Sequence, residues 1–267
     1  MIITSKMPRF CMLVIALTWS AVTAVNAQVT PAPVPVPETS PVTDRIAVEK
    51  IVREYLLGNP SILREIVAAL QESDEKEKRS VDLSNVRAKH SELFEDVASP
   101  EAGDAKGKVK MVVFFDYFCG YCKRSLQQLD ELLARDNSIR IIYKEFPILG
   151  KDSEVAASAA LAAHRQGRYV DFHKLLLAGD NVNKVTLRKL AKQVGLNYRS
   201  FLSDMDDPGI KASLQRNSLL ANHLNIDGTP AYIIGDRVVR GAVNLAELER
   251  IIAEVRSDPA GTAPKPK

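Results

Sequence analysis

The sequence predicts an α/β domain interrupted by a block of helices and preceded by a separate helical segment. Three observations carry this. Lys108 to Tyr117 is a short, mostly apolar run, Cys119 to Leu133 is amphipathic with helical spacing, and Ile139 to Phe146 is apolar again, which together make a β-α-β unit. Ser153 to about Leu224 is helical almost throughout. Ala231 to Ile234 and Arg237 to Arg240 then flank Gly235-Asp236, a tight hairpin signal, and one more helix follows.

The elements come in order from an N-terminus that reads as an export signal. Lys6 and Arg9 give a positive start, Phe10 to Val25 is apolar, and Val25-Asn26-Ala27 supplies small residues for cleavage after Ala27. An uncleaved anchor is the alternative, but the run is short for a membrane span. Residues 28–42 carry Pro31, Pro33, Pro35, Pro37 and Pro41, a composition that gives an extended tether rather than a core. Residues 43–90 read as a helical stalk and charged hinge. Val48, Ile51, Val52, Tyr55 and Leu56 form one apolar stripe, which Gly58 ends. Asn59 is placed to cap the next helix with Pro60 at its first position, and Ile62, Leu63, Ile66, Val67 and Leu70 form a second stripe. The run from Glu72 to Arg79 looks like a solvated helix or hinge. A separated apolar face is costly to leave exposed, so the expectation is self-association; a hairpin folded back on its own domain is the alternative.

Residues 91–257 form the main domain. A strand is expected at Leu93 to Val97, followed by a polar turn through Gly107 and the strand to Tyr117. Leu126, Leu129, Leu132 and Leu133 are the inward face of the helix after the cysteines. Ser153 is read as the cap of an Ala-rich helix ended by Gly167, and Tyr169 to Ala178 as the next helix. Thr186 is read as the cap of a third, with two more to follow. About 152–224 is too long for a loop, so it is an inserted helical block. Asn244 with Glu247 is a capping box for the last helix, Leu245 to Val255, and residues 258–267 are a Pro/Gly/Lys tail. The order β, β, α, β, helices, hairpin, α is that of a thioredoxin-like fold with a helical insertion.

Composition narrows the chemistry. Lys6 and Arg9 leave with the leader, so 36 basic and 33 acidic residues become a nearly neutral mature chain that points to no nucleic acid partner. Of three cysteines, Cys11 leaves too, and Cys119 and Cys122 remain alone. In an oxidising compartment cysteines usually serve as staples, yet a bridge closing so small a loop stabilises little. A working redox couple suits the pair better than an inert bridge. Placed at the first turn of a helix, the two lie on nearly the same face, with Cα atoms inside the ~4.4–6.8 Å window a disulfide requires. Cys119 at the helix N-terminus is favoured as the thiolate and Cys122 is shielded one turn inside. The expected cofactor is none beyond the Cys119–Cys122 disulfide itself.

Phe115-Asp-Tyr-Phe-Cys-Gly-Tyr-Cys122, Lys144-Glu-Phe-Pro-Ile-Leu-Gly150 and Gly228-Thr-Pro-Ala231 resemble the DsbA-like branch of exported thiol–disulfide oxidoreductases, and within it the ScsC-type proteins with their N-terminal association segment. The resemblance implies that Cys119 is the exposed nucleophile and Cys122 its resolving partner. Thr229-Pro230 would be the loop opposite, with Pro230 cis and its backbone aimed at an extended substrate. It also implies a periplasmic location, cysteine-containing clients, a membrane redox partner and a homotrimer. The central dipeptide Gly120-Tyr121 and the Thr before the proline resemble the bacterial disulfide isomerase DsbC. They turn the expectation toward a disulfide isomerase or reductase rather than a DsbA-like oxidase.

Relatives often carry a buried carboxylate six residues before the first cysteine, but Val113 stands there. A proton acceptor for Cys122 must come from elsewhere. Asp116, Lys144 and Glu145 are available, each reading as a strand-end charge facing solvent, and none joins the catalytic set. Copper binding of the copper-tolerance type is a further alternative, since two thiolates can hold Cu(I). No resident metal site is expected, because a closed zinc site needs two more ligands and His90, His164, His173 and His223 show no pairing that supplies them.

Overall fold

A computed structural model describes residues 42–257. The leader to Ala27, all but the last residue of the Pro-rich tether, and the tail at 258–267 lie outside the described residues. The chain divides into two units, the first ending at Pro60 and the second beginning at Ser61.

In the first unit, α1 (Val42–Gly58) leaves its apolar residues in solvent, with Ile46, Ile51 and Tyr55 all more than half exposed. Asn59 closes this helix rather than opening the next: its side-chain Nδ2 donates to the Tyr55 carbonyl at 2.7 Å.

The second unit opens with α2 (Pro60–Ala88), a single helix of 29 residues. The stretch expected as a solvated helix or hinge is continuous helix, with Lys76–Glu72 and Arg79–Glu75 pairs on its surface. Leu63, Ile66, Val67 and Leu70 are exposed, whereas Val86 is fully buried at the other end. Arg240 grips Asp82 with two bonds of 2.8 Å, and Arg87 reaches Asp236 at 3.0 Å. The main domain therefore starts inside α2, upstream of residue 91.

The strand expected at Leu93 to Val97 is instead a short helix, α3 (His90–Phe94). Leu93 and Phe94 both enter the core from one side of it, a packing that strand alternation would forbid. The first strand, β1 (Glu101–Gly103), lies in the stretch read as a turn. Gly103 is required there: it has φ +83° and a Cβ would sit 2.3 Å from the Ile139 carbonyl oxygen.

The remaining strands are β2 (Val109–Phe115), β3 (Ile139–Glu145), β4 (Ala231–Ile234) and β5 (Arg237–Arg240). Their order is β1-β3-β2-β4-β5, with β2 and β3 parallel and the other pairs antiparallel. α4 (Gly120–Arg135) makes the crossover between β2 and β3. The insertion holds α5 (Lys151–Arg165), α6 (Tyr169–Ala178), α7 (Lys184–Gln193), α8 (Tyr198–Met205) and α9 (Pro208–His223), and α10 (Leu245–Ser257) closes the chain. Within the insertion two caps differ from expectation. Gly150 precedes α5 and leaves Ser153 buried for another role, while Asn183, not Thr186, caps α7 by accepting from the Thr186 amide. The Asn244 cap forms as expected, accepting from the Glu247 amide at 2.9 Å.

The sheet is covered on both faces, and strand alternation sorts the core into two clusters. Val113, Phe115, Ile141 and Tyr143 face α4 and the inserted helices. Val112, Phe114 and Ile142 face α3 and the end of α9.

Candidate active site

β2 ends at Phe115, and the chain crosses to α4 through Asp116-Tyr-Phe-Cys119. Asp116, expected in solvent, is 1% exposed. Its carboxylate accepts from the Phe118 amide at 2.8 Å, the Ile148 and Leu149 amides at 2.8 and 3.0 Å, and the Ser153 hydroxyl at 2.9 Å. Four donors bind the cysteine loop to the Pro147–Gly150 turn and to the start of α5. Lys144, also expected in solvent, is buried on the opposite face of the sheet and donates to the Glu92 carbonyl, Asp96 and the Ser99 hydroxyl. Both corrections have one cause. β2 and β3 are both interior strands of a sheet covered on both faces, so their carboxyl ends, which carry Asp116 and Lys144, are enclosed and not at a rim.

Cys119 is the N-cap of α4 and Cys122 lies one turn inside it. Both are thiols in this structure. Cys119 is less open than expected at 8% exposure, against 4% for Cys122. The cause is the Thr229–Pro230 loop, whose peptide bond is cis. The Cys119 thiol donates to the Thr229 carbonyl at 3.2 Å. Tyr121 stands out in solvent with the Arg124 guanidinium 4.5 Å over its ring, and Ile148 and Leu149 are exposed. Cys119, Cys122, Thr229 and Pro230 thus form one site, with Gly120 and Tyr121 at its rim.

The two thiols are driven apart. Burial, the largest influence, pushes Cys119 up, but hydrogen bonds involving Thr229, the Cys122 amide and thiol and the Tyr121 amide outweigh it and hold this thiol below its ordinary value. Burial dominates at Cys122 and pushes it up to about 12. One sulfur is prepared to attack and the other to wait.

Behind Cys122 lies a polar cluster that the sequence reading missed. Tyr117 donates to Glu145 at 3.0 Å and its hydroxyl also meets His173 Nδ1 at 2.8 Å, while Tyr169 donates to Glu145 at 2.7 Å. Glu145 is 1% and His173 2% exposed. Burial keeps Glu145 well above the usual carboxylate range and drops His173 to about 3. A usable signal was strand parity: Glu145 shares its face with Ile141 and Tyr143, the face that receives the cysteine helix.

Among the described residues no group of three or more His, Cys, Asp or Glu side chains is placed to hold a metal. No described helix is long and apolar enough to cross a membrane.

Residues 110–253 match the DSBA-like thioredoxin domain. The chain belongs to the DsbA-like thioredoxin family. Residues 44–77 match the copper resistance protein ScsC N-terminal domain. A thioredoxin-like oxidoreductase from Silicibacter pomeroyi is 36% identical, with a TM-score of 0.60 and 62% of this chain and 97% of that one covered. Proteus mirabilis ScsC in a transitional conformation is 28% identical, with a TM-score of 0.61 and 82% of this chain and all of that one covered. The thiol:disulfide interchange protein DsbA of Bordetella parapertussis is 24% identical over 59% of this chain and 78% of its own length. A Na(+)/H(+) antiporter, NhaA 3 of Salinispora tropica, matches at 26% identity, and there this chain spans only 26% of the relative. These findings place the chain in the DsbA-like thioredoxin family, with an N-terminal segment similar to that of ScsC.

Proposed function

We propose that this protein catalyses thiol–disulfide exchange on exported, cysteine-containing clients in the periplasm, working chiefly as a disulfide isomerase or reductase. The observation that carries the exchange chemistry is the placement of the two thiols: Cys119 is the N-cap of α4, against the Thr229–Pro230 loop and held below its ordinary value, and Cys122 lies one turn inside and is pushed up to about 12. A thiolate is the attacking species, and a protonated resolving thiol leaves the mixed disulfide time to rearrange. Thr229 and Pro230 present the backbone along which a client segment lies.

The isomerase direction is supported by Gly120-Tyr121, which adds no positive charge between the cysteines to stabilise the reduced thiolate further. It is also supported by the N-terminal segment. Apolar residues from Ile46 to Leu70 stand in solvent in the single chain, and residues 44–77 are those that match the ScsC N-terminal domain. Self-association into a trimer would cover them and bring several sites to one client. Sedimentation of the mature chain against one beginning near Arg79, past the exposed stripe and the matching segment, tests this. Monomers in both cases remove the oligomeric part of the proposal.

Reactivation of scrambled ribonuclease tests the direction. Activity without rapid oxidation of a reduced client supports isomerase work, whereas the reverse pattern assigns a DsbA-like oxidase role. The reduction potential of the Cys119–Cys122 couple then identifies whether a membrane reductant or oxidant resets it. The name of the matching N-terminal domain favours one further reading, capture of Cu(I) by the two thiolates. Titration of the reduced protein with Cu(I) against a strong chelator decides it.

A further inference from the structure

Each catalytic cycle moves a proton on and off Cys122. The thiol must ionise to attack the Cys119 mixed disulfide, and the thiolate released by the reverse reaction must be neutralised. At 4% exposure bulk water serves this sulfur poorly. Val113 removes the carboxylate that the preceding strand could have offered. Of the three ionisable side chains at the strand ends, Asp116 is saturated by four donors and Lys144 is committed on the other face of the sheet. Of these three Glu145 has spare capacity, its second oxygen being buried without a hydrogen-bond partner; the Tyr232 hydroxyl is also without a partner, but burial pushes it up to about 12 and it is not a base near neutral pH.

We propose that Glu145, acting through Tyr117 and His173, is the proton reservoir for Cys122. His173 and Cys122 line one small cavity of ≈ 10 Å³, closed in part by Ser125, Tyr143 and Pro230. A cavity of that size holds at most one water. The Tyr117 hydroxyl has a single proton yet touches both Glu145 Oε1 and His173 Nδ1. Two arrangements satisfy it. Tyr117 donates to an ionised Glu145 while His173 Nδ1–H donates to Tyr117, leaving Nε2 free to accept. Alternatively, Tyr117 donates to Nδ1 while a protonated Glu145 donates to Tyr117, leaving hydrogen on Nε2. Moving between them is a proton relay. Cys122 gives its proton toward Nε2, Nδ1 passes one to the Tyr117 oxygen, and Tyr117 passes one to Glu145. One proton leaves sulfur and one arrives on the carboxylate; no electrons are transferred in this step. The Cys122 thiolate then bonds to Cys119 Sγ as the Cys119–client bond breaks, and the client departs as a thiolate.

The electrostatics suit this route. The imidazole is held neutral by burial, and in a concerted shift it never becomes a cation. Burial makes the Glu145 carboxylate a stronger base than an exposed one, so once ionised it takes the relayed proton readily; its charged and titratable neighbours are Asp116, Tyr117 and Tyr169. Lys174 is the charge bearing on His173. Glu145 touches no reacting atom, so it is a positioning residue in proton transfer and not a catalytic one.

The inference rests on the exchange reading above, and one experiment separates their failures. The mixed disulfide of Cys119 with glutathione is formed, and glutathione release by Cys122 is followed across pH in the full chain and in its Glu145→Gln and Tyr117→Phe variants. Release is expected to slow by about 10²-fold near neutral pH in both variants, a typical worth of general acid–base catalysis. The deficit should shrink as pH rises and Cys122 ionises unaided, while alkylation of Cys119 keeps its rate. Equal release rates in all three proteins overturn the relay and leave the exchange reading standing. A deficit in either variant that is constant across pH also overturns it, by assigning the residue a structural role. Failure to form the mixed disulfide at all overturns both.

Discussion

Asp116 and Glu145 are both buried carboxylates beside the same cysteine helix, and the protein treats them in opposite ways. Asp116, in front, accepts from three backbone amides and a hydroxyl and has little left to offer. Glu145, behind, takes two tyrosine hydroxyls on one oxygen and nothing on the other. The difference separates two uses of a buried acid. One that is saturated with donors fixes geometry, because any change of protonation would break bonds it already makes. One left half-satisfied in an apolar cluster favours its neutral form and is able to exchange a proton.

The largest effect should come from breaking the saturated member. Asp116→Ala strands four buried donors, and urea denaturation should show a loss of about 3 kcal/mol or more. The cysteine loop should loosen with it, so Cys119 alkylation slows. A stable variant with unchanged alkylation would mean that the loop is held by other contacts. Glu145→Gln should act through pH instead. A carboxyl raised in the folded state adds stability that is complete below its unfolded value of 4.5 and is lost as pH rises toward the folded one. Thermal denaturation from pH 4 upward should show that decline in the native chain and a flatter profile in the variant.

The thiols add a third profile, seen in the reduced protein against the oxidised one. Cys119 is lowered from 9.0, so its stabilisation is complete above pH 9 and is lost as pH falls through the folded value. Cys122 is raised from 9.0 to about 12, so its contribution is complete below pH 9 and is lost above it. Together they should give the reduced form a stability maximum near pH 9, and a monotonic difference would contradict the split. The smallest effect is expected at Tyr121, which shares the motif yet stands in solvent. Tyr121→Ala should change stability by no more than about 0.5 kcal/mol. Its effect should fall on client turnover, measured with scrambled ribonuclease.

The elements nearest Cys119 were legible in sequence because several levels agreed. The apolar run, the helical stripe of α4 and the Thr229-Pro230 dipeptide each pointed to one strand-to-helix junction. The hairpin from Ala231 to Arg240 was equally readable through Gly235-Asp236. Leu93 to Val97 failed because a few apolar residues without clear period fit helix and strand alike. Lys144 and Glu145 failed for a different reason. A charged pair at a strand end normally meets water, and only the sheet order puts β3 between β1 and β2. His173 was readable as a helix residue, but its bond to Tyr117 joins positions 56 apart in the chain, a contact that local pattern does not express.

The sheet's two margins bear on how such a protein survives its own proposed work. An enzyme that handles unfolded chains offers them a hazard as well as a site, because an open strand recruits any extended peptide by backbone pairing. Here one margin, β1, is only three residues long. The other, β5, is bracketed by Arg237, tied to Glu254, and Arg240, clamped by Asp82 from α2. Sticky templating is thereby discouraged at both borders. Under the proposed function, a client polypeptide would engage at the sulfur and its opposing loop and not at a strand border.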